Sequence, residues 1–194
     1  MVRIFLLFLF LPGLLLAEDL MAGKVKTAHM INLEITVDSS PDEVFSLWST
    51  SEGVRKFFAP DAHINPVEGG EYTILFAPKA DPLGLSHGTK GARILKIIPG
   101  KFLAFEWITF AADSTLGQNA PPLASPEIRN AKPLPTWVEL SFDPVSGEPK
   151  KTHIKFAHYG FQDGDLWQKS FVWFSKAWNG VLQELARYCK NTRG

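Results

Sequence analysis

Residues 165–190 read DLWQKSFVWFSKAWNGVLQELARYCK. This stretch holds three of the six tryptophans of the chain. Trp167, Phe171, Phe174, Trp178, Val181, Leu185 and Tyr188 follow one another at spacings of 4, 3, 4, 3, 4 and 3 residues. That spacing keeps one apolar stripe along a helix. Asp163 or Asp165 is the expected N-terminal cap, and both carboxylates suit the positive end of the helix dipole. About 25 residues at ~1.5 Å each make a rod of roughly 37 Å, so the helix is expected to lie across a whole sheet. Each stripe residue contributes ~1.5–3 kcal/mol on full burial, which makes the rod a main source of stability. So many rings on one helix either plug a core or wall a space that something else fills.

The sheet is read from the segments upstream. In MINLEITV, from Met30, the residues Ile31, Leu33, Ile35 and Val37 alternate with Asn32, Glu34 and Thr36, the period of a half-buried strand. Ser40, Pro41 and Glu43 then carry the marks of a helix start, with Val44, Phe45, Leu47 and Trp48 as its short apolar stripe. Gly53 and Pro60 bracket a second short helix. The runs EYTILFA, GARILKIIP and KFLAFEWITF read as strands separated by Gly69-Gly70, the loop DPLGLSHG and Pro99-Gly100. From 111 to 135 the pattern fails in a proline-studded excursion, read as a long surface loop. TWVELSF and THIKFAHYG resume strands across the turn DPVSGEP. One strand, two short helices, a run of antiparallel strands and a long last helix give an α+β chain, with no internal repeat.

Length and composition set further bounds. The chain has 194 residues, 45% apolar and 21% charged, which fits one globular domain. Twenty basic and twenty acidic residues cancel without forming like-charge blocks, so the basic footprint of a nucleic-acid binder is missing. Residues 1–17, MVRIFLLFLFLPGLLLA, run from Arg3 through an apolar stretch to small Ala17, ahead of Glu18-Asp19. That is the order of a secretory signal. A membrane span needs roughly 20 apolar residues, and Pro12-Gly13 interrupts this run. The expected organisation is a leader over 1–17, a tail over 18–29 and one domain over 30–190, with the product exported to the periplasm or secreted and no stable membrane span after cleavage. An uncleaved anchor is the alternative, and translation from Met21 or Met30 would leave the protein in the cytoplasm.

The side chains capable of chemistry are few. The one cysteine, Cys189, lies inside the apolar pattern of the last helix and is expected to be a plain buried thiol. His29, His63, His87, His153 and His158 include no pair at the spacing of a zinc-binding helix, so no metal is expected. The glycine pairs fit neither phosphate-binding nor dinucleotide spacing and read as turns, and no Gly-x-Ser-x-Gly elbow is present. No cofactor is implied.

Residues 37–60 (VDSSPDEVFSLWSTSEGVRKFFAP), 69–76 (GGEYTILF), 91–107 (GARILKIIPGKFLAFEW) and 158–185 (HYGFQDGDLWQKSFVWFSKAWNGVLQEL) resemble the landmarks of one family. It is the group of domains like the activator of heat-shock-protein-90 ATPase, within the SRPBCC or Bet v 1-like superfamily. APPLASPEIRNAKPLPTWVELSF, residues 120–142, is similar to an insertion found in a subgroup. The likeness spans about Ile31 to Lys190, and the export signal is its one departure. The resemblance implies a helix-grip fold, a curved antiparallel sheet wrapped around the long helix with a cavity between them. A hydrophobic small molecule or lipid is then the expected partner.

Within that implied cavity the candidate wall residues are Phe57, Phe58, Tyr72, Phe76, Phe105, Trp107, Trp137, His158, Phe174 and Trp178. His158 shares a strand face with Ile154 and Phe156, so it turns inward if they do. An inward imidazole could donate a hydrogen bond or serve as acid or base, and equally could simply bond to backbone or cap a helix end. Glu106 alternates against Phe105 and Trp107 and is expected to face solvent; the opposite register would make it a buried carboxylate. Arg93 carries the same ambiguity. A cyclase- or hydrolase-like enzyme using His158 with Glu106 or Arg93, and a chaperone-ATPase-activator-like interaction protein, are the two alternatives to a carrier.

Overall fold

The computed structural model describes residues 29–85, 87–107 and 136–192. The expected leader, almost all of the tail and the loop at 111–135 lie outside the described residues. The elements run in the order β1 (His29–Val37), α1 (Pro41–Ser49), α2 (Ser51–Phe57), β2 (Asp61–Ile64), β3 (Tyr72–Leu75), β4 (Ile94–Ile98), β5 (Phe102–Trp107), β6 (Thr136–Val145), β7 (Glu148–Phe161) and α3 (Asp165–Asn191). Five strands make an antiparallel sheet in the order β1-β7-β6-β5-β4, and β2 and β3 pair as a ribbon. The ribbon extends the sheet past β4. The Tyr72 N–H donates to the Ala92 carbonyl at 2.9 Å, and the Ile94 N–H donates to the Gly70 carbonyl at 2.8 Å. With the long C-terminal helix and the two short ones, this is the α+β helix-grip architecture.

Local chemistry explains the short helices. The backbone N–H and the hydroxyl of Ser40 both donate to the Glu43 carboxylate at 2.9 Å, which fixes the first turn of α1. Thr50 ends α1 and opens α2, accepting the Gly53 N–H on its hydroxyl at 3.0 Å. Gly53 lets the two helices touch, because an added Cβ would sit 2.4 Å from the Ser46 carbonyl oxygen. Strand β2 has no counterpart in the sequence reading: four residues are too few to show alternation, and only pairing with β3 reveals it.

Strand β7 holds the sheet together, paired to β1 on one side and β6 on the other. The register slips by one residue between the His29–Phe161 and Ile31–His158 pairs, so β7 carries a bulge. Gly160, at φ 93, takes the left-handed conformation there that side chains resist. The slip reverses the in–out parity, and Phe161 therefore turns inward although it is an odd step from His158.

Helix α3 has 27 residues. The expected aspartate cap is not formed. Gly164, at φ 116, occupies the N-cap, and Asp163 reaches His29 Nε2 at 3.2 Å instead. The most buried line of α3 runs through Ser170, Phe174, Trp178, Leu182, Leu185 and Cys189. Trp167, Phe171, Val181 and Tyr188 from the predicted stripe are only half-buried. A stripe repeating every 3.5 residues drifts on a straight helix by ~20° per heptad, so the buried line passes to the neighbouring positions. No described helix is long and apolar enough to cross a membrane.

Candidate functional site

One cross-strand row passes through all five strands of the sheet, Ile31–His158–Val138–Phe105–Ile94. Residues directly opposite across paired strands share a face, so His158 projects from the apolar side that meets α3. The side chain has no solvent exposure. Its Nδ1 accepts a hydrogen bond from Trp178 Nε1–H at 3.0 Å. This partner is an indole from the long helix rather than a backbone group.

Burial pushes the imidazole pKa down to about 3, so the ring is neutral at ordinary pH. With Nδ1 accepting, the single proton belongs on Nε2. That Nε2–H meets no acceptor among the described residues, and the same holds for the indole N–H groups of Trp107 and Trp48.

The rings around this point form one contiguous group. Trp178 lies 4.7 Å from Trp107, 4.7 Å from Phe156 and 5.6 Å from Phe58, centroid to centroid. Phe58 in turn touches Trp48, Phe57, Phe76 and Trp107. Tyr72 stacks on Phe105 at 3.9 Å, Phe105 meets Trp107, and Phe174 meets His158 edge-on at 5.4 Å. Every wall residue expected from the sequence joins this group except Trp137. The structure adds Trp48, Phe156 and Phe161. The Phe156 signal was its place between Ile154 and His158 on one strand face, whereas Phe161 turns inward only because of the bulge.

Trp137 is on the other side of the sheet. Its neighbours Val138, Leu140 and Phe142 take the inner positions of β6, and period two puts Trp137 outward. It stacks on Tyr159 at 5.1 Å and donates to Glu139 at 2.9 Å, in a small cluster with Ala104. Glu106 pairs with Trp137 and so also faces away from the rings, but it is buried at 4% exposure rather than solvated. Arg93 is exposed and donates to the Gly69 carbonyl at 2.9 Å, while its own carbonyl accepts the Glu106 N–H. The sheet therefore separates both from His158. Among the described residues Glu106 is the one buried carboxylate, so no buried carboxylate accompanies the imidazole on the inner face.

Two clefts open elsewhere. One of about 770 Å³ lies between α1, α2 and the end of α3, lined by Asp42, Glu43, Glu52, Lys56 and Tyr188. The other, of about 220 Å³, crosses the outer face of β1, β7 and β6. The first is lined mainly by polar and charged side chains; the second mixes Asn32, Glu34, Glu139 and Lys155 with Leu33, Phe102, Phe156 and Tyr159, and neither includes Trp107, His158 or Trp178. No group of three histidine, cysteine or acidic side chains among the described residues could hold a metal.

The fold has many solved relatives. Protein MLL2253 from Mesorhizobium loti superposes with a TM-score of 0.58 at 14% identity, over 84% of this chain and 98% of its own. The Aha1 dimer from Colwellia psychrerythraea gives 0.58 at 17% identity, over 85% and 98%. Protein NE0264 from Nitrosomonas europaea gives 0.57 at 16% identity, over 87% and 99%. Identities this low speak for the fold alone. No curated protein matches the chain. The model of the family described as Activator of Hsp90 ATPase homolog 1-like protein matches residues 38–190. This chain is a member of that family.

Proposed function

We propose that this protein binds a hydrophobic small molecule or lipid against the rings between the five-stranded sheet and α3. The observation that carries this reading is the continuity of the aromatic lining. Half-buried Phe57, Phe58 and Phe76 reach towards solvent, and Phe58 contacts both Trp107 and Trp178 in the fully buried part. An apolar surface with few polar groups suits an apolar ligand. The leader-like residues 1–17 support action in the periplasm or outside the cell. Native mass spectrometry of protein purified from its own source is the direct test, joined to titration with a hydrophobic fluorescent probe. Co-purified apolar molecules and saturable probe binding are expected; their joint absence overturns the reading.

A second reading, an interaction partner of a chaperone ATPase, is supported by the description of the family. It predicts a faster ATPase rate when the protein is added to the chaperone of the same source, and an unchanged rate at saturation removes it. The enzymatic alternative loses its simplest form, since Glu106 and His158 face opposite sides of the sheet.

A further inference from the structure

Three N–H donors around the same rings are buried without an acceptor among the described residues: His158 Nε2, Trp107 Nε1 and Trp48 Nε1. Buried donors are nearly always paired, because the water they lose must be replaced. The His158 and Trp107 rings both contact Trp178, at 5.9 and 4.7 Å. They stand on β7 and β5, with β6 between them contributing Val138 and Thr136 to the inner face. The Thr136 hydroxyl donates to the Trp107 carbonyl at 2.6 Å, and its oxygen is not within hydrogen-bond geometry of either donor.

These groups restrict what would complete them. All three donate and none accepts, so the missing group must be an acceptor. A carboxylate or phosphate would be poorly served, since among the described residues no lysine, arginine or charged imidazole is buried beside it. A hydroxyl or primary amide would bring its own N–H or O–H and leave that unpaired. A ketone, ester or quinone oxygen satisfies the donors and adds nothing that needs an acceptor.

We propose that the bound apolar molecule presents a neutral carbonyl or ester oxygen to His158 Nε2–H and Trp107 Nε1–H, so that the protein selects such molecules over hydrocarbons and over acids of the same shape. This rests on the apolar-ligand reading above and gives it a substrate class. Calorimetry of the full chain with two matched sets tests it. One set is 2-acetylnaphthalene, 2-ethylnaphthalene and 2-naphthoate; the other is methyl laurate, tridecane and laurate.

The carbonyl compound is expected to bind about 10-fold tighter than its hydrocarbon and its acid in at least one set, the yield of one or two neutral hydrogen bonds. Trp107→Phe keeps an aromatic ring, smaller than the indole, and removes the donor, so the preference should fall towards unity. Should that variant fail to fold, the indole N–H resonance of Trp107 in the unaltered protein reports directly. It should move downfield with the carbonyl compound and stay in place with the hydrocarbon. Equal binding of carbonyl and hydrocarbon with an unmoved resonance overturns the selectivity and leaves the apolar-ligand reading standing, as does an acid that binds tightest. No binding in either set overturns both.

Discussion

His158 has exchanged water for rings, and its protonation has a cost that the surroundings do not repay. Desolvation alone holds its pKa at about 3, against 6.5 for an exposed imidazole. The sign of the consequence follows from proton uptake. Below pH 6.5 the unfolded chain takes a proton on this residue and the folded chain does not, so stability is complete above 6.5 and falls as the pH drops towards 3. The slope approaches ~1.4 kcal/mol per unit, or roughly 2 kcal/mol between pH 6.5 and 5. Glu43, Asp61 and Glu71 add their own loss at lower pH, because hydrogen bonds hold their carboxyls below the usual range. His158→Gln keeps a neutral polar group that does not titrate. Urea midpoints of this variant should therefore be nearly level between pH 7 and 5; a drop as steep as that of the unaltered protein assigns the acid sensitivity elsewhere. Tyr72 offers a second check at this scale. Its hydroxyl donates to the Trp48 carbonyl at 2.9 Å, wholly buried, and burial pushes the phenol pKa up. Tyr72→Phe keeps the stack on Phe105 and strands that carbonyl, for an expected cost of ~1–2 kcal/mol in chemical denaturation. A loss indistinguishable from zero shows the carbonyl finding another donor.

Among the elements, the α1–α2 corner is the most sharply constrained. Its closest approach is backbone to backbone: a Cβ at Gly53 would meet the Ser46 carbonyl oxygen at 2.4 Å and Leu47 Cα at 2.5 Å. No side-chain rotation relieves that. Gly53→Ala should cost ~1–3 kcal/mol, read as a lowered denaturation midpoint, as for other overpacked contacts. A neutral or stabilising result means that the two helices can part. The sequence made the start of α1 legible through Ser40, Pro41 and Glu43, because capping is local; Gly53, expected to bound the second helix, instead lies inside α2, which Thr50 caps. Alternation likewise placed Ile154, Phe156 and His158 on one face, and it held the information on Trp137, since Val138, Leu140 and Phe142 can face inward only if Trp137 does not. What local reading missed depended on partners. The bulge at Gly160 is defined by register against β1, β2 exists through β3, and the drift of the buried line on α3 to Leu182 and Cys189 is fixed by what the helix lies on. The burial of Glu106 on the outer face is equally non-local, for alternation gives the side of a sheet and not what covers it.

In the molecule as a whole, the backbone of α3 runs closest to β1, the edge strand, with fewer approaches to β7 and α2. Contact with β5 is made by long side chains instead, Trp178 from the helix meeting Trp107 from the strand at 4.7 Å. The aromatic weight of residues 165–190 is thus a matter of reach: the helix leans on one edge of the sheet, and indoles span the widening wedge towards the other. Trp178 contributes twice over, as a bridging ring and as the donor to His158. Trp178→Ala should cost ~3–5 kcal/mol if the wedge is filled by packing alone. Leu185→Ala, buried lower on the same helix and outside the ring contacts, is the comparison, with an expected cost of ~2–5 kcal/mol. The two variants part when ligand is added. A ligand held between α3 and β5 at 100 times its dissociation constant stabilises the folded state by ~2.7 kcal/mol, which lifts the melting temperature by roughly 5–10 °C for a domain of this size. With 2-acetylnaphthalene or methyl laurate, whichever binds, the unaltered protein and Leu185→Ala should both show that rise, and Trp178→Ala should show little of it. A rise of equal size in all three places the ligand away from the wedge, with the polar cleft beside α1 and α2 as the next location to map.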